Sequence, residues 1–361
     1  MRRTDEEPTP GLSARMLSGG ARPMSICLCG ASADAVLEHM AREKIDFEPA
    51  ALDPTTLSGN FTPYERALSS LDGVLPHPIE LLVGNAKDRR PSSHVTCHVW
   101  RARLTSGSVL SLGDGLYVTS PELTLLQHAE TLHQASLCMM LGRYLGTWTP
   151  APESKGGQED RAPLTTLEML SCFLRDVGRV RGGANLRLAM AYTCEGAASA
   201  PESMLQLVLS LPPELHGFGL PQPTMNYEVE LSPKAQLLCG RITIRIDLCW
   251  RAKLFGLEYQ GQEHGQQLGE DYARWFAARE EGYELWYLAK EQLGSARQMD
   301  HIGHEVAKRL GLDEDELLWP SVFELQELLD VMAGREHPKP VQFDELRRRR
   351  STFWSFLDHR A

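Results

Sequence analysis

The stretch from Ile242 to His264, ITIRIDLCWRAKLFGLEYQGQEH, most constrains what this chain can fold into. Two apolar runs flank a short polar turn, the pattern of a strand hairpin. Asp247 falls near the end of the first run and Glu258 on the second. Gln260 shares a face with Glu258, because strand side chains alternate with period two. A carboxylate after Phe-Gly-Leu on an inner strand is costly to bury without a partner. Two carboxylates at adjacent strand ends form the donor set that a divalent metal takes.

The rest of the chain sets the frame. A chain of 361 residues with 42% apolar content supports packed cores and excludes wholesale disorder. Its net charge of -11 argues against a protein that coats nucleic acid over its whole surface, though not against a local basic cleft. The eight cysteines lie mostly in apolar runs and read as reduced thiols of a cytoplasmic protein. Cys27 and Cys29 form a CxC without a second pair, and His94 and His98 share a strand face without an evident third ligand. No run of about 20 apolar residues predicts a membrane span.

Residues 1–23 read as a disordered leader. Residues 24–196 read as an α+β region of unassigned role, with strands at 25–30, 78–83, 94–100 and 116–118. Ser120-Pro121-Glu122 marks a helix start, followed by a helical stretch breaking near Leu132. Residues 147–163 carry Pro, Gly and charge without periodicity, and predict a surface loop. Residues 197–312 read as α-β-β-β-α-β-α, opening on the helix of Ser199-Ala200-Pro201-Glu202. Residues 313–361 form a helical extension whose tail carries Arg347 to Arg350, a candidate phosphate contact.

The ordered set of Glu202 on the first helix, Asp247 in IDLCW, Glu258-Tyr259-Gln260-Gly261 with His264 following, and Asp271, Arg274 and Gly282 beyond it resembles the PD-(D/E)XK restriction-endonuclease-like superfamily. It looks most like bacterial endonuclease-like proteins related to the very-short-patch-repair endonuclease. The resemblance covers residues 197–312, about a third of the chain. It implies an α/β restriction-endonuclease-like domain that hydrolyses DNA phosphodiesters in defence or repair. Asp247, Glu258 and the Tyr259 carbonyl would hold Mg²⁺ or Mn²⁺, Glu202 would orient a metal water or bind a second ion, and His264 would act as acid or base. One departure stands out. The superfamily's usual lysine is Gln260 here, which orients water but supplies no positive charge. The residues before 197 are similar to proteins near abortive-infection type IV antitoxins. The alternative is therefore an inactive DNA-binding regulator of abortive-infection or toxin-antitoxin type. The expected partner is DNA, with a homodimer left open and no membrane partner.

Overall fold

The computed structural model describes residues 25–335, apart from 47, 152, 155, 156 and 262–267. The expected leader, His264 and Arg347 to Arg350 therefore lie outside the described residues.

The chain opens on β1 (Ile26–Leu28), α1 (Gly30–Arg42), β2 (Glu48–Ala50), the short α2 (Glu65–Leu68), β3 (Ile79–Val83), β4 (Val95–Val99), β5 (Val109–Gly113) and β6 (Leu116–Thr119). These strands form one mixed sheet in the order β2-β5-β6-β1-β3-β4. β1 pairs parallel with β6 and antiparallel with β3, while β3 and β4 run parallel. Ile26, Cys27 and Leu28 are wholly buried, as an apolar strand at the sheet centre must be. On α1, Ala33, Val36, Leu37 and Met40 follow helical spacing and supply the buried face.

Next come α3 (Pro121–His128), α4 (Gln134–Leu145), β7 (Trp148–Pro150), β8 (Gln158–Asp160), α5 (Leu167–Val177) and α6 (Gly183–Tyr192). The Ser120 hydroxyl accepts from the Leu123 amide, and α4 restarts after a break at His133. Residues 147–163 are not the plain loop expected from their composition. They hold the β7–β8 pair, and Arg161 is buried at their end. Its guanidinium donates to Glu38 Oε2 at 2.8 Å, to Glu38 Oε1 at 3.1 Å and to the carbonyls of Arg143, Gly146 and Ala162. Partners distant in sequence thus satisfy a charge that local composition assigns to the surface.

The remainder comprises α7 (Ala200–Ser210), β9 (Thr224–Glu230), α8 (Pro233–Cys239), β10 (Thr243–Trp250), β11 (Phe255–Gln260), α9 (Leu268–Glu280), β12 (Glu284–Ala289), α10 (Lys290–Leu293), α11 (Ala296–Leu310) and α12 (Val322–Met332). The second sheet has the order β12-β11-β10-β9. β10 is antiparallel to both β9 and β11, whereas β11 and β12 are parallel and joined through α9. The order differs from the expected α-β-β-β-α-β-α by two short helices, α10 after β12 and α8 between the first two strands. Ser232 caps α8 and Gly240 ends it at φ 69°. Its leucines, Leu237 and Leu238, are exposed, so it shows no buried apolar stripe for a sequence reading to detect.

One apolar cluster runs from Ile26 to Met332, and α4, α7 and α12 pack on one another within it. A smaller cluster, including Ile244, Ile246, Ala277 and Leu285, lies between the second sheet and α9. The protein is mixed α/β with mixed sheets. No helix among the described residues is long and apolar enough to cross a membrane.

Candidate metal centre

β10 and β11 bring the predicted acids together. Leu248 lies opposite Leu257, so Asp247 and Glu258 are the next residues across the antiparallel pair. The strand is irregular here. Ile244 and Ile246 belong to the smaller apolar cluster, but Leu248 and Trp250, of the same parity, belong to the larger one. β10 therefore changes face at Asp247. Across from it on β9, Asn226 adopts φ 46°, the left-handed region that asparagine tolerates better than most residues. The Tyr259 amide donates to Asp247 Oδ2 at 2.8 Å.

Glu258 is only 4% exposed. Its Oε2 accepts from Arg274 Nη2, on α9, at 3.0 Å. Its Oε1 is buried and has no hydrogen-bond partner among the described residues. Arg274 also donates to the Arg245 carbonyl at 2.9 Å and lies 4.0 Å from Asp271.

Glu202 stands in the first turn of α7, where a carboxylate faces the positive end of the helix dipole. Its Oε1 accepts from the Ser199 hydroxyl at 2.9 Å. Its Oε2 accepts from the Ala198 amide at 2.8 Å and from Asn226 Nδ2 at 2.6 Å. Donors at the start of the helix and on β9 thus hold Glu202 in place.

Burial and mutual repulsion dominate the electrostatics. Burial, then the Glu258 and Glu202 carboxylates, push the Asp247 carboxyl well above its usual range, against the Tyr259 amide and Arg274. Burial pushes Glu258 up to about 7, with Arg274 opposing and Glu202 assisting. Burial also raises Glu202, against its hydrogen bonds to Ala198, Asn226 and Ser199. With Glu202, Asp247 and Glu258 all ionised, the guanidinium bonded to Glu258 leaves an excess of negative charge. A divalent cation would reverse these shifts, since an opposite charge favours the ionised form.

The unpaired, buried Glu258 Oε1 beside Asp247 fits a hard cation bound by oxygen donors. Asp247, Glu258 and a backbone oxygen such as that of Tyr259 would hold it. Glu202 is not part of a tight triplet with them. Among the described residues, one group of three His, Cys, Asp or Glu side chains brings its ligand atoms within 4.8 Å, and it lies in the other sheet.

Gln260 stands two residues beyond Glu258 and lines a cavity of about 290 Å³ with Asp271, Tyr272, Trp275 and Tyr287. Tyr287 lies opposite Glu258 in the parallel pair, and burial pushes its phenol up to about 12, so it stays neutral. Arg274, on α9, brings a positive charge to Glu258. Sequence reasoning missed Asn226, whose amide ties Glu202 to β9. The one signal for it is an asparagine inside a strand run, TMNYEVE. Compared with family models, curated proteins and solved structures, the chain shows no match.

Proposed function

We propose that the chain is a metal-dependent DNA endonuclease of the restriction-endonuclease-like kind, with Asp247 and Glu258 as its metal ligands. The observation that carries this reading is the buried Glu258 Oε1 without a hydrogen-bond partner among the described residues, beside the half-buried carboxylate of Asp247. A carboxylate in that state costs stability unless a cation meets it. The β10–β11 hairpin followed by α9 and the parallel strand β12 supports the same reading. It sets the two acids side by side on the inner strands β10 and β11, and α9 brings Arg274 to Glu258.

A bound Mg²⁺ or Mn²⁺ would supply Lewis acidity toward a phosphate oxygen and a water of lowered pKa. The chain's own residues do the rest. The Tyr259 amide fixes Asp247, Arg274 holds one Glu258 oxygen so that the other is directed into the site, and Asn226 keeps Glu202 aligned with its helix. Gln260 orients water by hydrogen bonding. Tyr272, exposed on the cavity wall, presents an aromatic ring on which a base can stack. The reducing compartment implied by eight free cysteines is the cytoplasm.

A second reading, an inactive DNA-binding regulator on the same scaffold, draws support from Gln260 at the lysine position. Calorimetry with Mn²⁺ separates the two. The metal-dependent reading expects stoichiometric binding by the wild type and its loss in D247N. Absence of Mn²⁺ binding by the wild type would overturn it in favour of the regulator.

A further inference from the structure

A second cluster of chemically active side chains lies in the six-stranded sheet, away from Asp247 and Glu258. The strand register assembles it. Leu28 is opposite Leu81 in the antiparallel pair, which sets Cys29, just past β1, beside Glu80 on β3. The Cys29 amide donates to the Glu80 carbonyl at 3.0 Å. β3 and β4 run parallel with Leu82 opposite His98, so Glu80, Leu82 and His98 share one face. Cys29 Sγ, a Glu80 carboxylate oxygen and a His98 ring nitrogen all lie within 4.8 Å of one another. His98 Nε2 is 2.9 Å from Glu80 Oε2. His98 lacked a third ligand in the sequence because Cys29 and Glu80 reach it only through the sheet.

The cluster borders a cavity of about 410 Å³, lined by Glu80, Arg89, His98, Trp100 and His128 among others. Cys29 is wholly buried next to the lining residue Gly30, while His98 is half exposed. His128, on α3, adds an independent observation. Its Nε2 is buried without a hydrogen-bond partner among the described residues, and its ring bonds the Gly30 carbonyl through the other nitrogen. That leaves Nε2 as a lone pair inside the same pocket wall.

We infer that Cys29, Glu80 and His98 form a binding site for a divalent transition ion of the zinc class, with its remaining coordination position facing the cavity. A thiolate, an imidazole and a carboxylate match zinc, whereas Mg²⁺ and Ca²⁺ take oxygen donors. Metal bonds of about 2.0–2.3 Å in tetrahedral geometry separate the ligand atoms by about 3.3–3.8 Å. The ligand atoms lie within 4.8 Å of one another, and His98 Nε2 and Glu80 Oε2, at 2.9 Å, would move apart by about 0.5 Å to share an ion, within the reach of a half-exposed histidine. Three protein ligands and one open position are the arrangement of a reactive rather than a purely structural zinc. The ligand taken at the open position is a small molecule or anion, with Arg89 and Arg181 on the cavity wall to receive negative charge.

The test uses the full chain in a D247N background, so that the carboxylates of the other site do not contribute. Co²⁺ is the probe, because a thiolate ligand gives an intense charge-transfer absorption that oxygen ligands lack. The expected result is one equivalent of Co²⁺ bound with that absorption, displaced by Zn²⁺. C29S should abolish the absorption, and H98A should weaken affinity by more than about 10-fold, the lower end of what loss of even an outer partner costs. H98A alters a half-exposed residue and keeps the test valid if the buried C29S fails to fold. Absence of the thiolate absorption in the parent protein, or unchanged affinity in H98A, would overturn the inference and leave Glu80 and His98 as an ion pair only.

Discussion

Replacing Glu258 with glutamine should stabilise the metal-free protein at high pH, an unusual outcome for removing a buried ion-pair partner. The reason is the position of its titration. Glu258 moves from 4.5 to about 7 on folding, mainly by burial. Below pH 4.5 folded and unfolded chains both hold the proton. Between 4.5 and about 7 the folded chain binds more protons than the unfolded one, so stability falls as pH rises. At about 1.4 kcal/mol per pH unit, the loss across that window is about 3 kcal/mol. Asp247 and Glu202 are raised too and steepen the same trend. A glutamine in place of Glu258 mimics the protonated form at every pH. E258Q should therefore match the wild type near pH 4 and exceed it by about 3 kcal/mol at pH 8, which is about 4 °C in Tm for 361 residues at about 2.1 cal/mol/K each. Thermal unfolding in a chelator across pH 4–8 measures this. Parallel pH profiles, or an E258Q less stable than wild type at pH 8, would show that Glu258 does not gain a proton on folding. Adding Mn²⁺ at pH 8 should raise the Tm of the wild type and leave that of E258Q nearly unchanged.

Three further outcomes follow from the contacts. R274Q removes the cation bonded to Glu258 and should cost about 3–5 kcal/mol at pH 8 but less at pH 5, where Glu258 can take a proton; equal losses in urea titrations at the two pH values would contradict the pairing. N226G keeps the positive φ without strain but loses the amide that bonds Glu202 Oε2 and the Gly196 carbonyl, so chemical denaturation should show a loss of about 1–3 kcal/mol. In G303A the new methyl collides with the buried Phe218 ring, and the same assay should register about 1–3 kcal/mol of overpacking.

The outline of the fold is legible where sequence periodicity and burial coincide. The apolar runs at 26–28, 79–83 and 116–119 are strands, and Ser120 and Ser199 start helices by accepting hydrogen bonds from the amides of Leu123 and Glu202. Local pattern fails where the partner is distant. Arg161 reads as a loop charge and is buried by Glu38, 123 residues away. The helix α8 buries little apolar surface and leaves no stripe. The adjacency of Asp247 and Glu258 is legible, because a hairpin is a local structure. Their supports are not. Arg274 belongs to the ordered set with no partner assigned, and it is the guanidinium that meets Glu258. Asn226 carries no chemical signature at all, and Glu202, read as a metal or water ligand, has both oxygens engaged by Ser199, Ala198 and Asn226. Cys29, Glu80 and His98 are brought together only by strand register, which one sequence does not specify.

The central claim is that Asp247 and Glu258 hold a divalent cation that acts on a phosphodiester. Incubating supercoiled plasmid DNA with the full chain and Mn²⁺, beside D247N and E258Q, tests it most directly. Nicking or linearisation by the wild type, its suppression by chelator, and its loss in both variants are expected. An intact plasmid with the wild type, or equal cleavage by D247N, would contradict the claim.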